Sequence, residues 1–189
     1  MGDKNIIYCK NRNEWRDWLS AHFETEKVIW FIFPTISSGE IGVTYNDAVE
    51  EALCFGWIDG VAGTLDETHQ LRRFTPRRKG SGYSRLNIER LINLNEQGMI
   101  HPKLQKEIKK IISVRFVFPK DIINEIKKDK IAWQNYQAFT DSYKRIRIAY
   151  IDAARNRPEE FKKRLNSFIN KTHDNKIITG YGGTDKYYK

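Results

Sequence analysis

The spacing of apolar residues changes near Ser84, and that change limits what the chain can fold into. Upstream, the longest apolar run, Val28-Ile29-Trp30-Phe31-Ile32-Phe33, is short, β-branched and aromatic and stops at Pro34, as a strand does. Downstream, apolar residues recur three and four positions apart. They are Leu86, Leu91, Ile92 and Leu94, then Leu104, Ile108, Ile111 and Ile112, then Ile122, Ile123 and Ile126. Tyr143, Ile146, Tyr150 and Ile151, and then Phe161, Leu165, Phe168 and Ile169, continue the series. This period paints one apolar stripe on each of several helices. The expected fold class is α+β. A small N-terminal α/β layer with a short antiparallel sheet spans residues 1–82, an all-helical part spans 83–175, and 176–189 form a flexible tail.

Local signals place the boundaries. Trp15, Trp18, Leu19 and Phe23 share one helical stripe within residues 12–24. Thr44 can accept an orphan amide and open a helix whose buried face is Ala48, Val49, Ala52 and Leu53, with Gly56 as its stop. Trp57 to Val61 and Leu71 to Thr75 are candidate paired strands. Ser84, Thr140 and Asn156-Arg157-Pro158-Glu159-Glu160 mark helix starts, and Pro119 restarts the chain. From Gly180 onward no periodicity remains, so truncation there is expected to cost little stability.

Thirteen per cent of the residues are aromatic, which excludes a disordered chain. No apolar run approaches the roughly 20 residues of a membrane-spanning helix. Met1-Gly2-Asp3-Lys4-Asn5 leads into no secretory apolar region, and Ile6 stands where a myristoylation signal has Ser or Thr, so the cytoplasm is the expected compartment. Cys9 and Cys54 make no disulfide framework, and Cys54, within Ala52-Leu53-Cys54-Phe55, reads as a small buried hydrophobe. His22, His69, His101 and His173 lack metal-ligand spacing; neither a metal nor another cofactor is expected.

Charge is uneven along the chain. Residues 1–70 hold 5 Lys and Arg against 12 Asp and Glu, a net −7; residues 71–189 hold 28 against 12, a net +16, which together make the +9 of the whole. The excess points to an anionic partner, whether a small molecule such as a phosphorylated metabolite, a protein, nucleic acid or a membrane surface, or equally to solvated lysine-rich helix faces.

The densest chemistry lies between Trp57 and Asn87. Arg72, Arg73, Arg77, Arg78 and Lys79 fall within eight positions, followed by a Gly80-Ser81-Gly82 loop and Ser84 at a helix start. Guanidinium forks and free helix-start amides both suit phosphate or carboxylate. Trp57, Asp59, Arg73, Arg77, Arg78, Tyr83, Ser84 and Asn87 are the candidate ligand-binding residues, with Arg77 and Ser84 holding the anion and Arg73 nearby. Asp59 is expected beside one of these arginines, as its orienting partner or as the one weak candidate for a catalytic acid or base. Arginines at strand ends also pair with surface acids, and the cluster read that way is structural.

Three strings in order, Ala48-Val49-Glu50-Glu51-Ala52-Leu53-Cys54-Phe55-Gly56-Trp57-Ile58-Asp59-Gly60, Arg73-Phe74-Thr75-Pro76-Arg77-Arg78, and Tyr83-Ser84 with Asn87, resemble the YdeI/OmpD-associated family, also called the OmdA or bacteriocin-protection family. The resemblance runs over roughly residues 10–170 and is looser in the helical part. Tyr83 departs from it, the family usually having Trp there. It implies a bacterial stress-resistance protein that protects against bacteriocins or antimicrobial peptides, with no established catalytic residue or cofactor. Nucleic-acid binding by the basic helical part is the alternative, although no helix-turn-helix or RNA-binding signature accompanies it. An enzyme acting on a phosphorylated or carboxylated small molecule is a third reading, and no nucleophile is paired with a base to support it.

Overall fold

The computed structural model describes residues 5–180 and 184–188. The expectations for Met1 to Lys4 and for Tyr181 to Gly183 and Lys189 lie outside the described residues. The chain divides into two compact units, one of residues 1–82 and 91–110, the other of 83–90 and 111–189. The division is not a single cut at residue 83, because the chain returns to the first unit over 91–110.

The first unit holds a four-stranded sheet of order β1-β2-β4-β3, in which β1 (Ile6–Ile7) runs parallel to β2 (Ile29–Pro34). The hairpin of β3 (Trp57–Thr64) and β4 (His69–Pro76) is antiparallel within itself and to β2. The sheet is therefore mostly antiparallel. Two residues cannot display a period of two, so β1 leaves no trace in the sequence pattern.

Two helices cover one face of that sheet. Asn11 caps α1 (Arg12–His22) by accepting the Glu14 N–H, and Thr44 caps α2 (Tyr45–Cys54) by accepting that of Asp47. Gly56, at φ +72°, ends α2 in the left-handed region, and a Cβ there would also press on Leu104 at 3.2 Å. Trp15 fixes the packing. Its ring meets Phe31 at 4.8 Å and Phe74 at 5.6 Å, while its indole N–H donates to the Ala48 carbonyl at 3.0 Å.

The α1–α2 contact is also ionic. Arg12 reaches Asp47 at 3.0 Å and Glu50 at 3.1 Å and also bonds Glu51, which Arg16 meets at 2.6 Å. Arg16 donates in addition to the Met99 carbonyl at 2.7 Å. Glu50 and Glu51 are both buried, so α2 buries more than the apolar stripe predicted for it. Beside this cluster Cys54 is fully buried, and burial first, then Glu51, pushes its thiol up to about 12.

Helices α3 (Arg85–Glu96) and α4 (Gln105–Ile112) contribute residues to both units. The second unit is otherwise built from α5 (Lys120–Lys128), α6 (Lys130–Ala138), α7 (Asp141–Asp152) and α8 (Pro158–His173). Its core gathers Ile122, Ile126, Tyr136, Tyr143, Ile146, Ile151, Leu165 and Phe168. The helical period, the Thr140 cap and the Pro158 start all stand where the spacing predicts them. Among the described residues no strand follows Pro76.

The closing segment departs from the expected flexible tail. Tyr187 and Tyr188 are buried in the helical core. Their carbonyls accept the hydroxyls of Ser142 and Thr140, and the Ile178 N–H donates to the Tyr143 hydroxyl at 3.0 Å. Two adjacent aromatics make no periodic stripe, which is why the pattern misses them.

Candidate functional site

Alternation along β4 sorts the basic cluster. In antiparallel strands, opposed residues share a face and successive residues alternate. Phe74 opposes Ile29 on β2 and Asp59 on β3, which places Asp59 and Arg72 on the face that α1 and α2 cover. Arg73 opposes Trp30, and Thr75 opposes Ile58, on the outer face. Neighbours in sequence therefore serve opposite sides of the sheet.

On the outer face a cleft of about 370 Å³ is lined by Ile58, Arg73, Thr75, Pro76, Arg77, Arg78 and Ser81. Arg73 and Arg78 are exposed or nearly so and make no ion pair among the described residues. Arg77 behaves differently. Its guanidinium donates to the Gly82 carbonyl at 2.7 Å and to the Ser81 hydroxyl at 3.2 Å, so it staples its own loop. The Arg77 N–H donates to the Gly56 carbonyl at 2.8 Å, and Gly80, at φ +78°, turns the loop back.

Asp59 is not the partner of an arginine. It accepts the Tyr45 hydroxyl at 2.6 Å, while Arg72 lies over the Tyr45 ring at 5.1 Å and donates to the Gly60 carbonyl at 3.2 Å. The period of two sends Arg73 to the face opposite Asp59, whereas Arg72, which shares the Asp59 face, lies over the ring of the tyrosine that Asp59 holds. Trp57 is buried in the core, and its indole N–H donates to the Phe23 carbonyl at 3.0 Å. Tyr83, Ser84 and Asn87 belong to the second unit. There the Ser84 hydroxyl accepts the Asn87 N–H at 3.3 Å as the α3 cap, and the buried Asn87 accepts from Arg90 at 2.9 Å. The structure thus gathers Arg73, Arg77 and Arg78 and adds Thr75, Ile58 and Ser81, which the search for charge overlooked. Their shared strand parity was the available signal.

A second cleft, on the Arg72 side, is lined by Phe33, Ile36, Glu40, Thr44, Tyr45 and Arg72 among others. Its loop is tied down by His69, whose Nδ1 faces Asp66 at 2.9 Å and whose Nε2 faces Glu40 at 3.2 Å. Only an imidazolium can donate from both nitrogens. The hydrogen bond to Asp66, then that to Glu40, raises the His69 pKa above its ordinary 6.5. The Thr68 backbone N–H, then His69, holds Asp66 down to about 2. The His69 contribution is complete below pH 6.5 and disappears as pH rises through the raised value, whereas that of Asp66 is present above 3.8 and disappears as pH falls through about 2. The latch is therefore complete between pH 3.8 and 6.5. Amide exchange of Glu40 to Gly42 is expected to quicken above that window. A His69→Asn variant is expected to show no such pH step; an unchanged step would assign it to another group.

No helix among the described residues is long and apolar enough to cross a membrane. A family model described as a domain of unknown function, DUF8412, matches residues 7–107, which is 101 of the 189 residues and includes the outer-face cleft. A second model, described as Bacteriocin-protection, YdeI or OmpD-Associated, matches residues 115–175. That match falls on the helices, where the resemblance in the sequence is looser, and not on the strings around Trp57 and Arg73. Neither the curated proteins nor the solved structures provide a match to the chain. Residues 115–175 are thus similar to the bacteriocin-protection, YdeI or OmpD-associated family, and the chain belongs to the DUF8412 family, whose model covers more than half of it.

Proposed function

We propose that this is a cytoplasmic protein of resistance to bacteriocins or antimicrobial peptides, acting through an anion bound in the outer-face cleft of its sheet. The family match over the helices supports the first part of this reading. Two buried, reduced cysteines suit a reducing compartment. The observation that carries the second part is the pair Arg73 and Arg78, two guanidiniums on one cleft with no acidic partner among the described residues. Thr75 adds a hydroxyl, Ile58 an apolar wall, and Arg77 holds the loop that carries Arg78.

A charge-assisted hydrogen bond contributes about 1.5–3 kcal/mol. Arg73→Ala and Arg78→Ala are each expected to weaken phosphate binding about tenfold or more, measured by calorimetry at low salt. Arg72→Ala, on the opposite face, is expected to leave it unchanged. If Arg72→Ala weakens binding as much as Arg73→Ala does, the anion is held elsewhere and this reading fails.

A further inference from the structure

The cleft on the Arg72 side lies apart from the proposed anion site, and its walls are of a different kind. It measures about 370 Å³, at the small end for a small-molecule site. Phe31 opposes Arg72 and Phe33 opposes Gln70, so these four side chains share one face of the sheet. Phe31 is fully buried there, whereas Phe33, two residues further on, is half-buried and lines the cleft with Gln70 and Arg72. Among the described residues the Arg72 guanidinium meets the Gly60 carbonyl and the Tyr45 ring and forms no ion pair. Most of its N–H donors therefore stay available to a ligand. Gln70 adds a carboxamide with no hydrogen-bond partner among the described residues.

The loop from Thr35 to Val43 supplies the rest of the wall, and it is fixed in place without a ligand. The Thr35 N–H donates to the Thr68 carbonyl at 2.8 Å, and the Tyr8 hydroxyl donates to the Ile41 carbonyl. A Cβ at Gly42 would come within 2.7 Å of the Pro34 ring, so the loop lies flush on the end of β2. It brings Ile36, wholly exposed, and Val43 to the cleft that Phe33 lines. A wall held in this way loses little freedom when something binds against it. The loop also brings Glu40, whose negative charge disfavours a dianion in the same cleft. We propose that this cleft binds a small carboxylic acid with an apolar body, its carboxylate on Arg72 and Gln70 and its body on Phe33, Val43 and Ile36. The site is independent of the anion cleft, which Arg73 and Arg78 line.

Calorimetry with hexanoate, hexanamide, acetate and inorganic phosphate tests the site. The wild type is expected to bind hexanoate about tenfold or more tightly than hexanamide, which lacks the charge, and than acetate, which lacks the body. Inorganic phosphate is expected not to displace hexanoate. Arg72→Ala is expected to remove the advantage over hexanamide, and Arg73→Ala to leave hexanoate binding unchanged while weakening that of phosphate. Should Arg72→Ala fail to fold, Ile36→Ser, at a wholly exposed position, is expected to weaken hexanoate several-fold and acetate not at all. In the wild type, hexanoate is expected to shift the side-chain resonances of Phe33 and Arg72 and to leave Arg78 and Ser81 unmoved. Hexanoate and hexanamide bound alike, hexanoate displaced by phosphate, or shifts on Arg78 and Ser81 in place of Phe33 and Arg72 would each overturn the site. So would the absence of hexanoate binding.

Discussion

Replacing Arg12 by alanine is expected to lower the unfolding free energy by about 3 kcal/mol, the range for removing one partner from a buried ion pair. Arg12 bridges Asp47, Glu50 and Glu51, and the last two carboxylates are buried. Without it, Arg16 remains against the fully buried Glu51, and the buried Glu50 loses its bond to Arg12. The loss comes from weakened pairing of buried carboxylates, so its size depends on what remains behind. In a double-mutant cycle, Arg12→Ala with Glu51→Leu is expected to cost less than the sum of the two single changes. Urea unfolding checks this through its midpoint at unchanged slope. A cost below about 1 kcal/mol for Arg12→Ala would place this network with ordinary surface pairs.

Removing residues 184–189 is expected to destabilise the helical unit by a comparable amount. The truncation deletes Tyr187 and Tyr188, both packed in the core, and uncovers Tyr143, whose ring meets that of Tyr188 at 4.7 Å. Deleting one buried large aromatic side chain costs about 3–5 kcal/mol in a well-packed core. Tyr188→Ala alone is expected to give much of the effect, because its ring is the one packed on Tyr143. A truncated protein with an unchanged melting temperature would contradict the docked segment.

These two features were the ones least legible in the sequence. Periodicity revealed the helices and the hairpin because each presents a repeating stripe, and Thr44, Gly56 and Thr140 marked their ends by specific hydrogen-bond or backbone needs. Glu50 and Glu51 leave no such mark. A carboxylate within an apolar run reads as solvent-facing until Arg12, 38 and 39 residues away, is found against it. The tail aromatics are equally silent, since a pair of side chains has no period.

The candidate site was legible as composition but not as geometry. Arginine density drew the candidate site to residues 72–79, yet by charge alone Arg72, Arg73 and Arg77 read as one cluster. Strand parity sends Arg72 to the Tyr45 side and Arg73 to the outer face, and Arg77 is taken up by Ser81 and Gly82. Asp59 was expected beside an arginine; it is bonded to Tyr45, and Arg72, on the same face, lies over that tyrosine's ring.

The most direct test of the anion cleft is a phosphate titration followed by amide and arginine side-chain chemical shifts in the intact protein. Saturable shifts are expected at Ile58, Arg73, Thr75, Arg78 and Ser81, with Tyr45 and Glu40 on the opposite cleft unmoved. Shifts scattered over the lysine-rich helices without saturation, or none on Arg73 and Arg78, would contradict the account.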